Sequence, residues 1–397
     1  MPRDLEAFAD LVAIFQHFSY RQVVRQAIER TGGEPEMDLL LASVAIQFGQ
    51  TTDRGKALRS AIDTTGFGRR NIHKKPRHYD PEEGDPHELG TVLVSAVFEA
   101  FTTVFQRKTR RYRQIVRYTH GDALDCSLIE ILAEHAGELA TQFLSICIRA
   151  IDYCPPIDLT FGEYLRAMIT ADFDLVPDDP WGYREALIDA FARRGIYPDD
   201  VTNLSEDALL WRPPSRELEP IEALHFKYLR FAGDPGRAAD EAELRRQAAA
   251  IGAYVMRPTY AGEFGCSLPG DAALDGDIVD PALVCSVRSL RRVGPDKKVS
   301  FDLVAEVIQR RQFVGGKHRL AEFFGGSTII LDADGAVRYV IRKAITNPGR
   351  VEAQSRHARS AIGKTWTSKD GKLHPMAGTL HALHQNRCRV HRNTVGS

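Results

Sequence analysis

The chain has 397 residues, 43% hydrophobic and 26% charged, with a formal net charge of −1 at pH 7. This is globular composition with room for two domains, and it excludes a disordered chain. A charge so near zero gives no ground for bulk binding of nucleic acid or of a membrane surface.

Residues 5–18, LEAFADLVAIFQHF, place Phe8, Leu11, Val12, Phe15 and Phe18 at three- and four-residue steps. That spacing predicts a helix packed on most sides. Glu6 and Asp10 stand four apart on one face of it, where exposed like charges repel by about 0.2–0.5 kcal/mol. Two readings are open: a frayed first turn with both carboxylates in water, or a buried pair, each held by a cation, a donor or a metal. Further helices are predicted over 34–50 and 54–62, then a loop rich in Gly, Pro and charge over 66–88.

The apolar run 89–105 carries Glu99 and reads as a buried helix, short for a membrane span. The basic run RKTRRYRQIVR at 107–117 reads as the solvated face of a helix. Helices at 126–151 and 161–171 flank YCPPIDLTF, where Pro155 and Pro156 force a break. A last helix, 181–195, closes at Gly195.

Between 201 and 218 the composition shifts to Pro, Asp, Ser and Arg, which marks a linker. One helix at 237–251 and strand-like alternations at 282–293, 299–313 and 327–345 follow. GPDKK joins the first two, and DADG inside the third is a hairpin turn. The expected fold class is therefore α+β: a mainly helical lobe over 1–200, then a smaller α+β module with β-hairpins over 219–345. From 346 the polar chain reads as an extended or partly disordered tail.

Six cysteines (126, 147, 154, 266, 285 and 388) follow no paired spacing, as expected of packed thiols in a reducing compartment. The opening residues lack the form of a signal peptide, which leaves the cytoplasm as the default location. His381, His384, Cys388 and His391 are spaced loosely like a metal site but sit in a polar tail, and read as part of it. The FGG at 324–326 and VGG at 314–316 read as turns or loops. Asp172, Asp174, Asp178 and Asp179 read as solvated or helix-capping carboxylates, Arg149 with Asp152 as a helix-end ion pair, and His17 as a packed or surface histidine.

Taken in order, LEAFAD, ALRS at 57–60, His87 ahead of an apolar helix, and YCPPIDLTF through ARRGI resemble the C-terminal helical lobe of the thermolysin-like zinc metallopeptidases, the gluzincins. The resemblance covers roughly residues 1–200. It implies that Glu6 is the third zinc ligand and that Asp10 braces a zinc-bound histidine. It implies that Arg59 binds the substrate carbonyl and that His87 donates to the developing oxyanion. The family's His-Glu-x-x-His, which supplies two zinc ligands and the catalytic glutamate, occurs nowhere in the 397 residues. The residue before Glu6 is Leu5 in place of the usual Asn.

One ligand does not hold zinc. The expectation is an incomplete or N-terminally truncated peptidase-like protein. Zinc and a peptide or protein substrate belong only to a form that carries the missing motif, and neither nucleic acid nor membrane is a partner. The alternative is a non-catalytic protein- or peptide-binding module on a degenerate peptidase scaffold.

Overall fold

The computed structural model describes residues 2–18, 20–30, 78–79, 86–119, 126–230, 239–293, 299–315, 318–361 and 366–375. The fold is α+β with a helical N-terminal part and antiparallel sheets. The chain divides into two compact units. One is Met1–Ile151 with Thr160–Leu210; the other is Asp152–Leu159 with Trp211–Ser397.

The first unit is built from helices. Helix α1 (Pro2–His17) buries Ala7, Leu11, Ile14 and Phe15, so the inner face follows Leu11 and Phe15 of the predicted stripe, while Phe8 and Val12 are only half-buried. Helix α2 (Arg21–Arg30), absent from the sequence reading, buries Val24 and Ile28 and lays Arg21 against Glu130 at 2.7 Å. Helix α3 runs from Pro86 to Thr119, well beyond the predicted 89–105 at both ends. Pro86 suits a first helical turn, where its missing N–H costs nothing, and the basic run simply continues the helix. Leu89–Tyr112 is long and apolar enough to cross a membrane by length and composition, against the expectation of too short a run. Most of that segment is nevertheless buried inside the protein.

Helix α4 (Cys126–Ala150) buries a continuous stripe from Leu128 to Ala150. Phe15 packs its ring on Phe101 at 5.5 Å and on Phe143 at 5.8 Å, so α1, α3 and α4 share one aromatic core. Helix α5 (Phe161–Phe173) opens with a full capping box. Thr160 accepts from the Glu163 amide, and the Glu163 carboxylate accepts from the Thr160 amide at 2.9 Å. Helix α6 (Tyr183–Arg193) is capped by Asp179, which accepts the amides of Tyr183 and Arg184 at 2.9 and 2.8 Å. It ends at Gly195, which takes φ +70°. A single turn, α7 (Glu206–Leu209), completes the unit.

The second unit centres on an antiparallel sheet. Strand β3 (Val299–Gln312) pairs along one edge with both β1 (Ile278–Val279) and β2 (Leu283–Val293). Along the other edge it pairs with β4 (Glu322–Leu331), which pairs in turn with β5 (Val337–Lys343). Leu303, Ala305 and Val307 alternate onto one face and pack with Ile251, Tyr254 and Val255 of helix α8 (Glu241–Val255). Relative to the expected 237–251, α8 starts later because Asp240 caps it. It also runs through Gly252, held by the burial of Tyr254 and Val255. The DADG turn is closed by Asp332, whose carboxylate accepts the amides of Asp334 and Ala336.

Two stretches depart from the sequence expectation. The FGG at 324–326 is the middle of strand β4, because other backbone passes too close for side chains there. A Cβ on Gly325 would lie 2.4 Å from the Ile345 Cβ, and one on Gly326 would lie 2.0 Å from the Val307 carbonyl. Residues 348–375 are not an extended tail: they form helix α9 (Pro348–Ser360) and a hairpin of β6 (Trp366–Lys369) and β7 (Lys372–Pro375). Val351, Ala358, Trp366 and Leu373 supply a small core with Phe313 and Phe323, enough to order an otherwise polar stretch.

No disulfide joins the described cysteines, and Cys388 lies outside the described residues. Burial pushes the Cys147 and Cys266 thiols up to about 12, so almost none of either is thiolate at pH 8. Mapping by mass spectrometry after treatment with a thiol reagent at pH 8 should find exposed Cys126 labelled in the native protein. Cys147 and Cys266 should be labelled only in denaturant. Native labelling of Cys147 as fast as Cys126 would contradict this packing.

Candidate functional site

The four residues singled out from sequence meet different outcomes. Glu6 lies on α1 and His87 in the first turn of α3, not ahead of the helix as expected; both side chains lie outside the described part. Arg59 lies outside the described residues altogether. Asp10 is half-buried on α1 and has an interaction partner, so the frayed, fully solvated reading does not fit it. The shared aromatic core brings the helices themselves together. Phe15 of α1 and Phe18 just past its end meet Phe98 and Phe101 of α3, with Phe15–Phe101 at 5.5 Å. At 1.5 Å rise per residue, Glu6 stands about 14 Å N-terminal of that contact on its helix, and His87 roughly 16–21 Å N-terminal of it on its own.

Two buried ionic ties hold the closing helices. Glu99 on α3 accepts from both Arg193 and Arg194 at the end of α6, and Arg194 also donates to the Ala190 carbonyl at 3.0 Å. The Tyr79 amide donates to the Arg194 carbonyl at 2.7 Å, anchoring the lead-in to α3 on the same helix end. Asp172, at the end of α5, pairs with Arg184 of α6 at 2.8 Å, both largely out of water. Arg184 donates further to the carbonyls of Val176 and Pro177 at 2.8 Å and pairs with Glu206. The acidic segment 172–179 is thus a packed turn around a guanidinium. Arg149, read from the sequence as the partner of Asp152, lies 4.0 Å from Asp172, while Asp152 pairs with Arg288.

The second unit carries a charged sheet face that sequence reasoning missed. Arg288 bridges Asp152 at 2.9 Å and Glu306 at 3.0 Å. Arg292 pairs with Asp302 at 2.8 Å, and Arg338 reaches the same carboxylate at 3.2 Å. Burial raises the Asp152 carboxyl above its ordinary range, opposed by the charge of Arg288. Its signal was present in the strands as charges two or four residues apart: Arg288 and Arg292, Asp302 and Glu306. The segment 152–159 straps across this unit. Asp152 holds Arg288, the Cys154 carbonyl accepts from Thr328 at 2.7 Å, and the Tyr153 carbonyl accepts from the Trp211 indole at 3.0 Å. Asp158 pairs with Arg350. Alternating signs leave this face internally neutralised, as in a structural network.

No family model, no curated protein and no solved structure matches the chain.

Among the described residues no three His, Cys, Asp or Glu side chains come together to hold a metal ion. The family's zinc would have one ligand from this chain, Glu6. A single carboxylate does not make a tetrahedral zinc site, so the residues present do not fit the metal by themselves. The His381, His384, Cys388 and His391 group lies outside the described residues.

Proposed function

We propose that the helical unit is a peptidase lobe of the thermolysin-like kind. On this reading Glu6, Asp10, Arg59 and His87 belong to one cleft. Peptide hydrolysis belongs to a form that also carries a His-Glu-x-x-His segment, and the 397-residue chain does not cleave peptides on its own. One observation carries the reading: the helices that bear the family-like motifs pack in one unit. Helix α1 meets α3 through their phenylalanines, α3 is tied to α6 through Glu99, and α5 is tied to α6 through Asp172 and Arg184. The missing motif favours the alternative, a scaffold kept for binding a protein or peptide.

The test is a distance. Spin labels at Glu6→Cys and His87→Cys, with Cys126, Cys285 and Cys388 replaced by Ser, report the separation of the two sites by pulsed electron resonance. Side chains facing one cleft from adjacent helices, each about 10–12 Å across, should give a distribution centred below about 20 Å. A distribution centred beyond about 30 Å, more than two helix diameters, sinks the shared cleft.

A further inference from the structure

The second half of α3 presents an arginine-rich surface that the reading above leaves unused. Between Glu99 and Asp122 the sequence holds no acidic residue, while Arg107, Lys108, Arg110, Arg111, Arg113 and Arg117 fall within it. Phe105 and Thr109 turn inward and are buried, which leaves Arg107, Arg110, Arg111 and Gln114 along the outer arc. Arg107 is committed to the structure: it pairs with Glu185 at 2.9 Å and donates to the Gly182 carbonyl at 3.0 Å. Lys108 is also held, 5.6 Å from the centre of the Trp181 ring and 5.3 Å from that of Tyr183. Arg110 and Arg111 are different. Both are exposed, and neither makes an ion pair among the described residues.

Two amphipathic rings also stand partly in water: Trp181, against Arg107 and Lys108, at 44% exposure, and Tyr112, next to Arg111 in the helix, at 36%. Two uncommitted guanidiniums, on a helix stretch that also carries partly exposed rings, match carboxylates interleaved with apolar or aromatic side chains. Fixed acids border the patch: Glu185 next to Arg107, and Glu138 next to His135, which stacks on Tyr112. A polyphosphate backbone or an anionic bilayer, negative along its whole length, would meet those carboxylates as well as the arginines. A peptide can seat individual carboxylates on Arg110 and Arg111 and turn its other side chains to the rings.

We infer that this surface binds an acidic peptide segment of a partner or substrate protein. It lies about 35 Å along the helix axis from His87, so it is an exosite and not part of the proposed cleft.

The experiment uses the whole chain and a fluorescein-labelled octapeptide in which Asp and Glu alternate with Tyr and Leu, followed by anisotropy at 50 mM salt. Binding should be saturable and weaken at 300 mM salt as the exposed charges are screened. R110E/R111E should weaken it about tenfold or more, the scale of a reversed pair of interfacial charges. R110A/R111A, a milder change, should weaken it less, and K369E, an exposed reversal in the second unit, should leave it unchanged. No binding of the acidic peptide, or equal binding by R110A/R111A and the unaltered chain, overturns the proposal. Tighter binding of an oligonucleotide of equal length, or of phosphatidylserine vesicles, overturns the choice of occupant. None of these readouts depends on zinc or on the Glu6–His87 distance, so failure here leaves the lobe reading to its own test.

Discussion

Replacing Arg184 by Met should be among the most damaging single changes in the helical unit, costing about 3–5 kcal/mol. Arg184 is 2% exposed, and its partner Asp172 is 10% exposed at the side chain. Removing the guanidinium leaves a carboxylate in the interior with its strongest partner gone. The carbonyls of Val176 and Pro177 lose a donor at the same time. Urea unfolding followed by circular dichroism at 222 nm measures the loss directly. The double variant D172L/R184M should recover part of it, because removing both charges together avoids the unpaired one. A cost below about 1 kcal/mol for R184M, the range of exposed pairs, would show that water already screens the pair.

Gly326→Ala should damage the second unit by a comparable amount through a different mechanism. Gly326 sits at φ +150°, and an added Cβ would lie 2.0 Å from the Val307 carbonyl and 2.9 Å from the Ile308 Cα. These are backbone atoms of the neighbouring strand, so the contact cannot be relieved by rotating a side chain. Overpacking of this kind costs about 1–3 kcal/mol, and an unsuitable backbone conformation adds roughly 1–3 kcal/mol. Gly315→Ala is the matched control: its φ is +84°, but nothing lies within 4 Å of the added carbon. It should lose only the conformational part. Hydrogen exchange followed by mass spectrometry should show β3 and β4 losing protection in G326A and not in G315A. Equal protection in the two variants would mean that the strands separate more easily than their packing indicates.

These two sites show what the sequence made legible. Apolar periodicity located α1, the first half of α3, α4 and the long strands, because each buries a face that its own local pattern defines. The same logic stopped α3 short, since the basic run 107–119 has no apolar stripe yet continues a helix already nucleated. Helix α9 and the β6–β7 hairpin were illegible because a few residues, such as Val351 and Trp366, carry their core amid polar neighbours. Asp172 was read as solvated or capping because spacing alone cannot separate a surface carboxylate from one folded onto an arginine twelve residues away. Gly325 and Gly326 looked like a turn because the reason for them is a neighbouring strand, which composition does not reveal. The Glu6 and Asp10 spacing was the most legible part of the candidate site. Its meaning turned on a motif that these 397 residues do not contain.

The strap at 152–159 bears on how the protein is made. Cys154 and its partner Thr328 are 174 residues apart, and Asp158 and Arg350 are 192 apart. During synthesis at about 5–20 residues per second, the strap waits roughly 9–35 s for the strand that receives it. Through that interval Asp152 and the backbone carbonyls of Tyr153 and Cys154 must find water or a holdase in place of the sheet. A fragment starting at Trp211 never receives the strap at all, although every strand of its sheet is present. Cutting the chain once between the two units, at Trp211, would therefore leave the second without residues 152–159, which are its own.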